Sequence, residues 1–293
     1  MRTNTGQILY IPRIGQRANL QHPLMKGCVG WWPLSDGGGT NAVDLSGNGN
    51  DGTQSGGVSW ASTTKGTAAS FDGVDDRFDL TTLGGYQAFS NPITISMWCY
   101  LRDDSIQQYW FNKHNSTNSD FRLFAWTRVA GELEFKLYDG TAEARKRYGG
   151  LATQILNKWT HLVFVSAGPD YSLGSNLELY VNGAVETPTQ TSDATYSGNQ
   201  DASGILTLGG RYPDDTRNID ASFQNVRVYN RALSATEVLE LYTNPWSGLS
   251  IPSETRYFFV PQLITASPKL FNIKGSSISM TSNTGRVSVR AAR

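Results

Sequence analysis

The chain has 293 residues, 39% of them hydrophobic, and its 30 Gly, 13 Tyr, 12 Phe and 8 Trp favour strands and tight turns around one large core. Its 25 Lys and Arg balance 25 Asp and Glu, which argues against a nucleic-acid partner or a charged membrane surface. Only two cysteines are present, which excludes a disulfide-stapled scaffold, and no apolar run has the length of a signal peptide or a bilayer span.

The charge is unevenly placed. Residues 1–35 carry Arg2, Arg13, Arg17 and Lys26 and no acid. Residues 247–293 carry Arg256, Lys269, Lys274, Arg286, Arg290 and Arg293 against Glu254 alone. Two basic ends therefore flank an acidic centre.

Residues 1–24 hold Pro12 and Pro23 without periodicity and read as an extended arm. Cys28 to Leu34 reads as a first strand, and Ser35 to Thr53 as polar turn chemistry. Ile93, Ile95, Met97, Cys99 and Leu101 alternate with Thr94, Ser96, Trp98, Tyr100 and Arg102, a clean period of two that predicts a strand. Leu133, Phe135 and Leu137 alternate likewise before Asp139-Gly140, a hairpin signal. Trp159 to Val165 is nearly all apolar and suits a central strand. Leu177 to Val181 ends at Asn182-Gly183, a second hairpin, and Ile205 to Leu208 and Phe223 to Tyr229 give the last strands. Ser234-Ala235-Thr236-Glu237 is a capping box, and Asn244-Pro245 stops the short helix it opens. Cys28 and Cys99 lie in apolar runs and are expected as buried thiols, a disulfide being the alternative; His161 is expected as a satisfied core or edge residue.

The predicted fold is an all-β jelly-roll sandwich of two antiparallel sheets with one short C-terminal helix and extended arms. Its expected divisions are residues 1–24, an arm; 25–245, the sandwich; and 246–293, a tail with one or two short strands.

Six blocks carry a family resemblance. Gly30-Trp31-Trp32-Pro33-Leu34 with Asp44 to Gly52, and Ala69 to Asp76, are the first two. Ile93 to Trp98, Trp159 to Val163, Leu179 to Gly183 and Asn225 to Ser234 follow in order. Together they resemble LamG-like jelly-roll domains of the concanavalin A-like lectin/glucanase superfamily. The ends, His22-Pro23-Leu24 before the domain and Tyr242 to Trp246 after it, resemble LamG-like proteins encoded among tailed-phage structural genes. The resemblance implies fold more than function, because the fold hosts lectins, hydrolases and passive domains alike.

Glucanases of the superfamily carry Glu-x-Asp-x-x-Glu on one strand, which sets alternate carboxylates on one face. That motif is missing; the nearest pattern, Glu132-Leu133-Glu134, is expected as a solvated strand start at a turn. Superfamily members often hold calcium on acid-rich loops. By position Asp120, Asp214 and Asp215 are the implied ligands of a structural calcium, with the Asp44 to Asp51 loop as the alternative. Tyr109, Trp110, Trp126 and Tyr212, read as lying in or near loops, are candidates for a sugar platform, the alternative being that Trp110 and Trp126 pack in the sandwich.

The first functional expectation is a non-catalytic structural protein of a virion, made in the host cytoplasm and tied into a homo-oligomer or onto other virion proteins by its ends. Arg13, Arg17, Tyr257, Phe258, Phe259 and Phe271 are the candidate arm contacts. The second is a secreted or surface-displayed lectin-like module for glycans. An atypical glycoside hydrolase is third. Neither nucleic acid nor membrane is expected as a partner.

Overall fold

The computed structural model describes residues 16–80, 92–114, 122–128, 131–138, 143–167, 177–192, 204–211 and 217–250, with the backbone of three strands beyond them. Two antiparallel sheets dominate. One has the order β14 (Ala184–Val185), β13 (Leu177–Val181), β12 (Trp159–Ser166), β7 (Ile93–Leu101), β17 (Asp220–Tyr229), β5 (Gly66–Asp72) and β4 (Ser59–Thr63). An eighth strand, β1 (Cys28–Trp32), pairs with Val226–Tyr229 of β17, beyond the Asp220–Phe223 stretch that pairs with β5. The nine-stranded sheet runs β15 (Gln190–Ser192), β11 (Glu143–Tyr148), β10 (Glu132–Tyr138), β9 (Arg122–Arg128), β8 (Gln108–His114), β16 (Ile205–Leu208), β6 (Arg77–Asp79), β3 (Gly52–Ser55) and β2 (Asn41–Ala42).

The expected alternation sets the layers. Ile93, Ile95, Met97, Cys99 and Leu101 enter the main core with Leu162 and Phe164, and meet Phe111, Leu123, Ala125 and Phe135 of the other sheet. The β13–β14 hairpin turns at Asn182 and Gly183, both at positive φ, as an Asn-Gly turn requires. The turn at 139–142 lies outside the described residues, but Tyr138 pairs with Glu143, so β10 and β11 form the expected hairpin. Both cysteines are free and buried, and burial pushes the Cys28 thiol up to about 12.

The outer face of the eight-stranded sheet carries a second core. Val163, Val165, Tyr229 and Trp31 point to this side, where Leu24, Met25, Leu233, Val238, Leu241, Trp246 and Leu249 cover them. Val238 and Leu241 come from the expected helix, α2 (Ala235–Thr243), capped reciprocally by Ser234 and Glu237. Arg231 pairs with Glu237 and, as the main cause, holds its carboxyl down at about 2. The N-terminal and exit segments meet here: Asn19 N–H donates to the Gly248 carbonyl at 2.7 Å, and Ala18 bridges Leu249. The expected limits at 24/25 and 245/246 thus both fall inside this cluster, and the compact unit runs to Leu249. A five-residue helix, α1 (Leu151–Ile155), has no counterpart among the predicted elements.

Residues 250–293 form a second compact unit. In it β18 (Asn272–Ile273), β19 (Ser276–Met280) and β20 (Val287–Ala291) pair antiparallel in that order, a three-stranded meander where one or two strands were expected.

Gly30 shows why the Gly-Trp-Trp block reads as it does. A Cβ there would lie 2.2 Å from the Trp32 ring. Trp32 points into the main core and Trp31 into the second, so two neighbouring indoles anchor both layers. Asp44 accepts from the backbone N–H of Trp31, Ser46 and Asn50, and Asp51 accepts from Asp44 N–H. Asp44 thus ties the loop to β1, and Asp51 holds Asp44 within the loop.

Candidate functional site

On the outward face of the nine-stranded sheet, strand pairing aligns Tyr109, Trp126, Glu134, Arg147 and Gln190 in one row across β8, β9, β10, β11 and β15. The Tyr109 and Trp126 rings are stacked, with centroids 5.6 Å apart and planes 18° apart. Phe124, one row along, meets both edge-on. The guanidiniums of Arg217 and Arg128 stand 5.7 and 5.8 Å from the Trp126 centroid. Trp126 Nε1–H donates to Glu134 at 2.9 Å, and Arg147 Nε–H donates to the other Glu134 oxygen at 2.5 Å. Arg128 donates to Glu132, which also lies 3.5 Å from Arg147.

The site is therefore an aromatic step inside a lattice of fixed, alternating charges. Tyr109 is only 4% exposed, while Trp126 is half-buried and Arg217 is exposed. A partly exposed aromatic face edged by fixed polar groups suits a polar ring-shaped ligand. Glu134 is 1% exposed, and each of its oxygens accepts from a neighbour in the row, Trp126 or Arg147.

Of the four aromatic residues expected to form a platform, two come together. Tyr109 and Trp126 lie on strands, not in loops. Trp110 is removed from the platform: it is 0% exposed on the core side, and its Nε1–H donates to Thr127. The cause is a register shift between Tyr109 and Phe111, which sends Trp110 and Phe111 both inward. Tyr212 lies outside the described residues. Glu132 opens β10, the expected strand start, but Glu134 is buried rather than solvated. Glu134 and Arg147 escaped the sequence reading as site residues. Counting outward from the hairpin turn pairs them directly, and that was the available signal.

The expected calcium ligands Asp120, Asp214 and Asp215 lie outside the described residues, as do Arg13, Tyr257, Phe258, Phe259 and Phe271. Arg17 is exposed beside the Ala18–Leu249 bridge. Among the described residues, Asp72, Asp75 and Asp76 gather their carboxylates within 4.8 Å. Asp76 spends its oxygens on the N–H groups of Gly57 and Asp72, so this acid staples two turns together. His161 is buried, as expected, but only half satisfied: Nε2 meets the Ser96 hydroxyl and Nδ1 has no partner among the described residues.

Residues 71–239 match the Laminin_G_3 family, described as the concanavalin A-like lectin/glucanases superfamily. No curated protein matches the sequence. Among solved structures, domain 4 of AbnA, an extracellular arabinanase from Geobacillus stearothermophilus solved with arabinotriose, superposes with a TM-score of 0.55 at 17% identity, over 73% of this chain and 98% of that one. A botulinum neurotoxin type C structure, whose report ties cell entry to two ganglioside molecules, gives 0.57 at 13%, over 92% of this chain and 63% of that one. Trypanosoma rangeli sialidase with sialic acid gives 0.55 at 15%, over 76% of this chain and 34% of that one. At these identities the likeness is one of fold. The chain belongs to the concanavalin A-like lectin/glucanases superfamily.

Proposed function

We propose that this member of the concanavalin A-like lectin/glucanases superfamily is a non-catalytic binding module that recognises glycans through the Tyr109–Trp126 row of its nine-stranded sheet. The stacked ring pair framed by Arg217, Arg128 and the Glu134–Arg147 pair carries the reading. Sugar-bound neighbours of the same fold are in keeping with it. Binding of the full chain to an array of neutral and acidic glycans is the test. Trp126→Ala is expected to weaken the best ligand at least about tenfold, the loss of one stacking anchor. Unchanged affinity would reject this face as the site. No new reducing ends are expected from a polysaccharide panel, and turnover that Glu134→Gln abolishes would overturn the non-catalytic assignment.

A second reading is a structural component of a particle such as a virion, with the sandwich displayed and the ends tying it to neighbouring copies or other virion proteins. The basic ends against an acidic centre favour it. The full chain would then assemble at low salt, and a version without residues 1–15 and 251–293 would stay monomeric. Calcium at Asp120, Asp214 and Asp215 is proposed as a structural ligand. Its signature is a melting temperature lowered by chelator in the wild type and not in Asp214→Ala.

A further inference from the structure

The second core covers only part of the outer face of the eight-stranded sheet. The uncovered part is a cleft of about 540 Å³, bounded by Ser62 and Thr63 of β4, Tyr100 and Arg102 at the end of β7, Trp159 of β12 and Ser222 of β17. It lies on the opposite side of the sandwich from the Tyr109–Trp126 row, since the main core separates the two faces.

Pairing explains how the cleft is built. Trp159 faces Tyr100, Tyr100 faces Ser222, Ser222 faces Ser70, and Ser70 faces Ser59, so one row across five strands changes from aromatic to hydroxyl. The Trp159 and Tyr100 rings are 5.9 Å apart and tilted by 56°, both half-buried, which leaves two apolar surfaces meeting at an angle. The β4–β5 hairpin raises Ser62 and Thr64 as the hydroxyl wall, while the Thr63 hydroxyl between them is engaged within the turn, donating to the Gly66 carbonyl and accepting from Lys65 N–H.

Charge narrows the ligand. The cationic group lining the cleft is Arg102, and it is spent. Its Nε–H donates to Asp220 at 2.5 Å, one terminal nitrogen donates to Ser222 at 2.8 Å, and the other to the carbonyls of Phe71 and Ala221. Asp220 neutralises it in place. Lys65, outside the lining, is held 3.9 Å over the Trp98 ring. An angled aromatic pair, a fringe of hydroxyls and an internally neutralised ion pair are the features that a sugar ring without charge would use: C–H faces on the rings, hydroxyls on hydroxyls. The size suits a short oligosaccharide.

We infer that this cleft is a second carbohydrate site, specific for neutral oligosaccharides and separate from the face in the proposed function. The test is titration of the full chain with arabinotriose, xylotetraose, cellotetraose and maltotetraose, and with galacturonic acid trimers as the acidic counterpart. The readouts are tryptophan fluorescence and the indole N–H resonances. At least one neutral oligosaccharide is expected to shift the Trp159 indole signal. Trp159→Ala should weaken that ligand at least about tenfold, and Ser62→Arg, which fills an exposed position of the wall without touching the core, should do the same. Trp126→Ala should leave it unchanged. Retained binding in Ser62→Arg, a loss in Trp126→Ala instead of Trp159→Ala, preference for the acidic trimer, or no shift of the Trp159 signal with any neutral sugar would each overturn the assignment. The first-named face stands or falls separately, on the Trp126→Ala result with its own ligand.

Discussion

Arg227→Ala is expected to lower the stability of the folded chain by about 3–5 kcal/mol, seen as a fall in the urea midpoint with little change in slope. Arg227 is 0% exposed, and no carboxylate pairs with it among the described residues. Its charge is met instead by the Ser247 carbonyl at 2.9 Å, the Pro245 carbonyl at 2.7 Å, the Asn225 side-chain oxygen at 3.2 Å and the Trp31 ring, 3.8 Å from centroid to guanidinium carbon. Truncation strips the Ser247 carbonyl of this donor, costing about 1–3 kcal/mol, and removes a desolvated cation–π contact of about 2 kcal/mol. The Pro245 carbonyl keeps the Asn225 amide, and Asn225 keeps Trp31 Nε1–H, so those two acceptors are not orphaned. Arg227→Lys keeps the charge but offers one head where two carbonyls need a fork, and should lose nearly as much. Arg227→Met should lose less, because it refills volume without a buried charge. Because Arg227 ties β17 to the exit segment and to β1, the loss should expose Trp31 to solvent first. An Ala variant within about 1 kcal/mol of wild type would show that the segments are held by apolar packing alone.

That clamp also marks where reading the sequence stops. Alternation over Ile93 to Leu101 names the β7 residues that enter the main core, since a pleated strand sends alternate side chains to opposite faces, but it does not show that Thr94, Ser96 and Trp98 on the other face are buried as well. The Ser234–Glu237 box and the Asn182–Gly183 turn are equally local, with donor, acceptor and φ set within four residues. The site on the nine-stranded sheet was half legible. Tyr109 and Trp126 were found by type, but the bulge that turns Trp110 inward is a property of pairing with β9, which no run of residues announces. The same holds for Asn225, at φ 53 in the irregular stretch of β17, whose side chain joins Trp31 to Pro245. The cleft beside Trp159 is defined by what the terminal segments leave uncovered. Contacts between Asn19 and Gly248 span nearly the whole sandwich in sequence, beyond the reach of local pattern. The α1 helix fails for the opposite reason: five residues are too few to show a helical period.

Stability is expected to fall as pH drops below 6.5, and His161 is the group responsible. Its ring is 1% exposed, lying beside Trp98 at 5.2 Å and Tyr242 at 6.2 Å. Nε2 is 2.9 Å from the Ser96 hydroxyl, and Nδ1 is a buried atom without a partner. Burial, followed by the nearby charges of Arg227 and Lys65, lowers its pKa from 6.5 to about 3. Between those limits the unfolded chain holds a proton on this imidazole and the folded chain does not. The unfolded state therefore binds more protons, and unfolding gains as protons are added, by up to about 1.4 kcal/mol per pH unit. The contribution is full above pH 6.5 and is lost progressively toward pH 3. Glu237, held near 2, adds its own loss only below its ordinary 4.5, so the interval from 6.5 to 4.5 separates the two. Urea unfolding at pH 7.5 and pH 5.0 should show a drop of about 2 kcal/mol in the wild type beyond that in His161→Gln, which cannot take the proton. Comparing the two proteins cancels every other titration they share. If their stabilities fell in parallel, the imidazole would have to be accepting its proton inside the fold, and the aromatic stack around it would have to open to admit water.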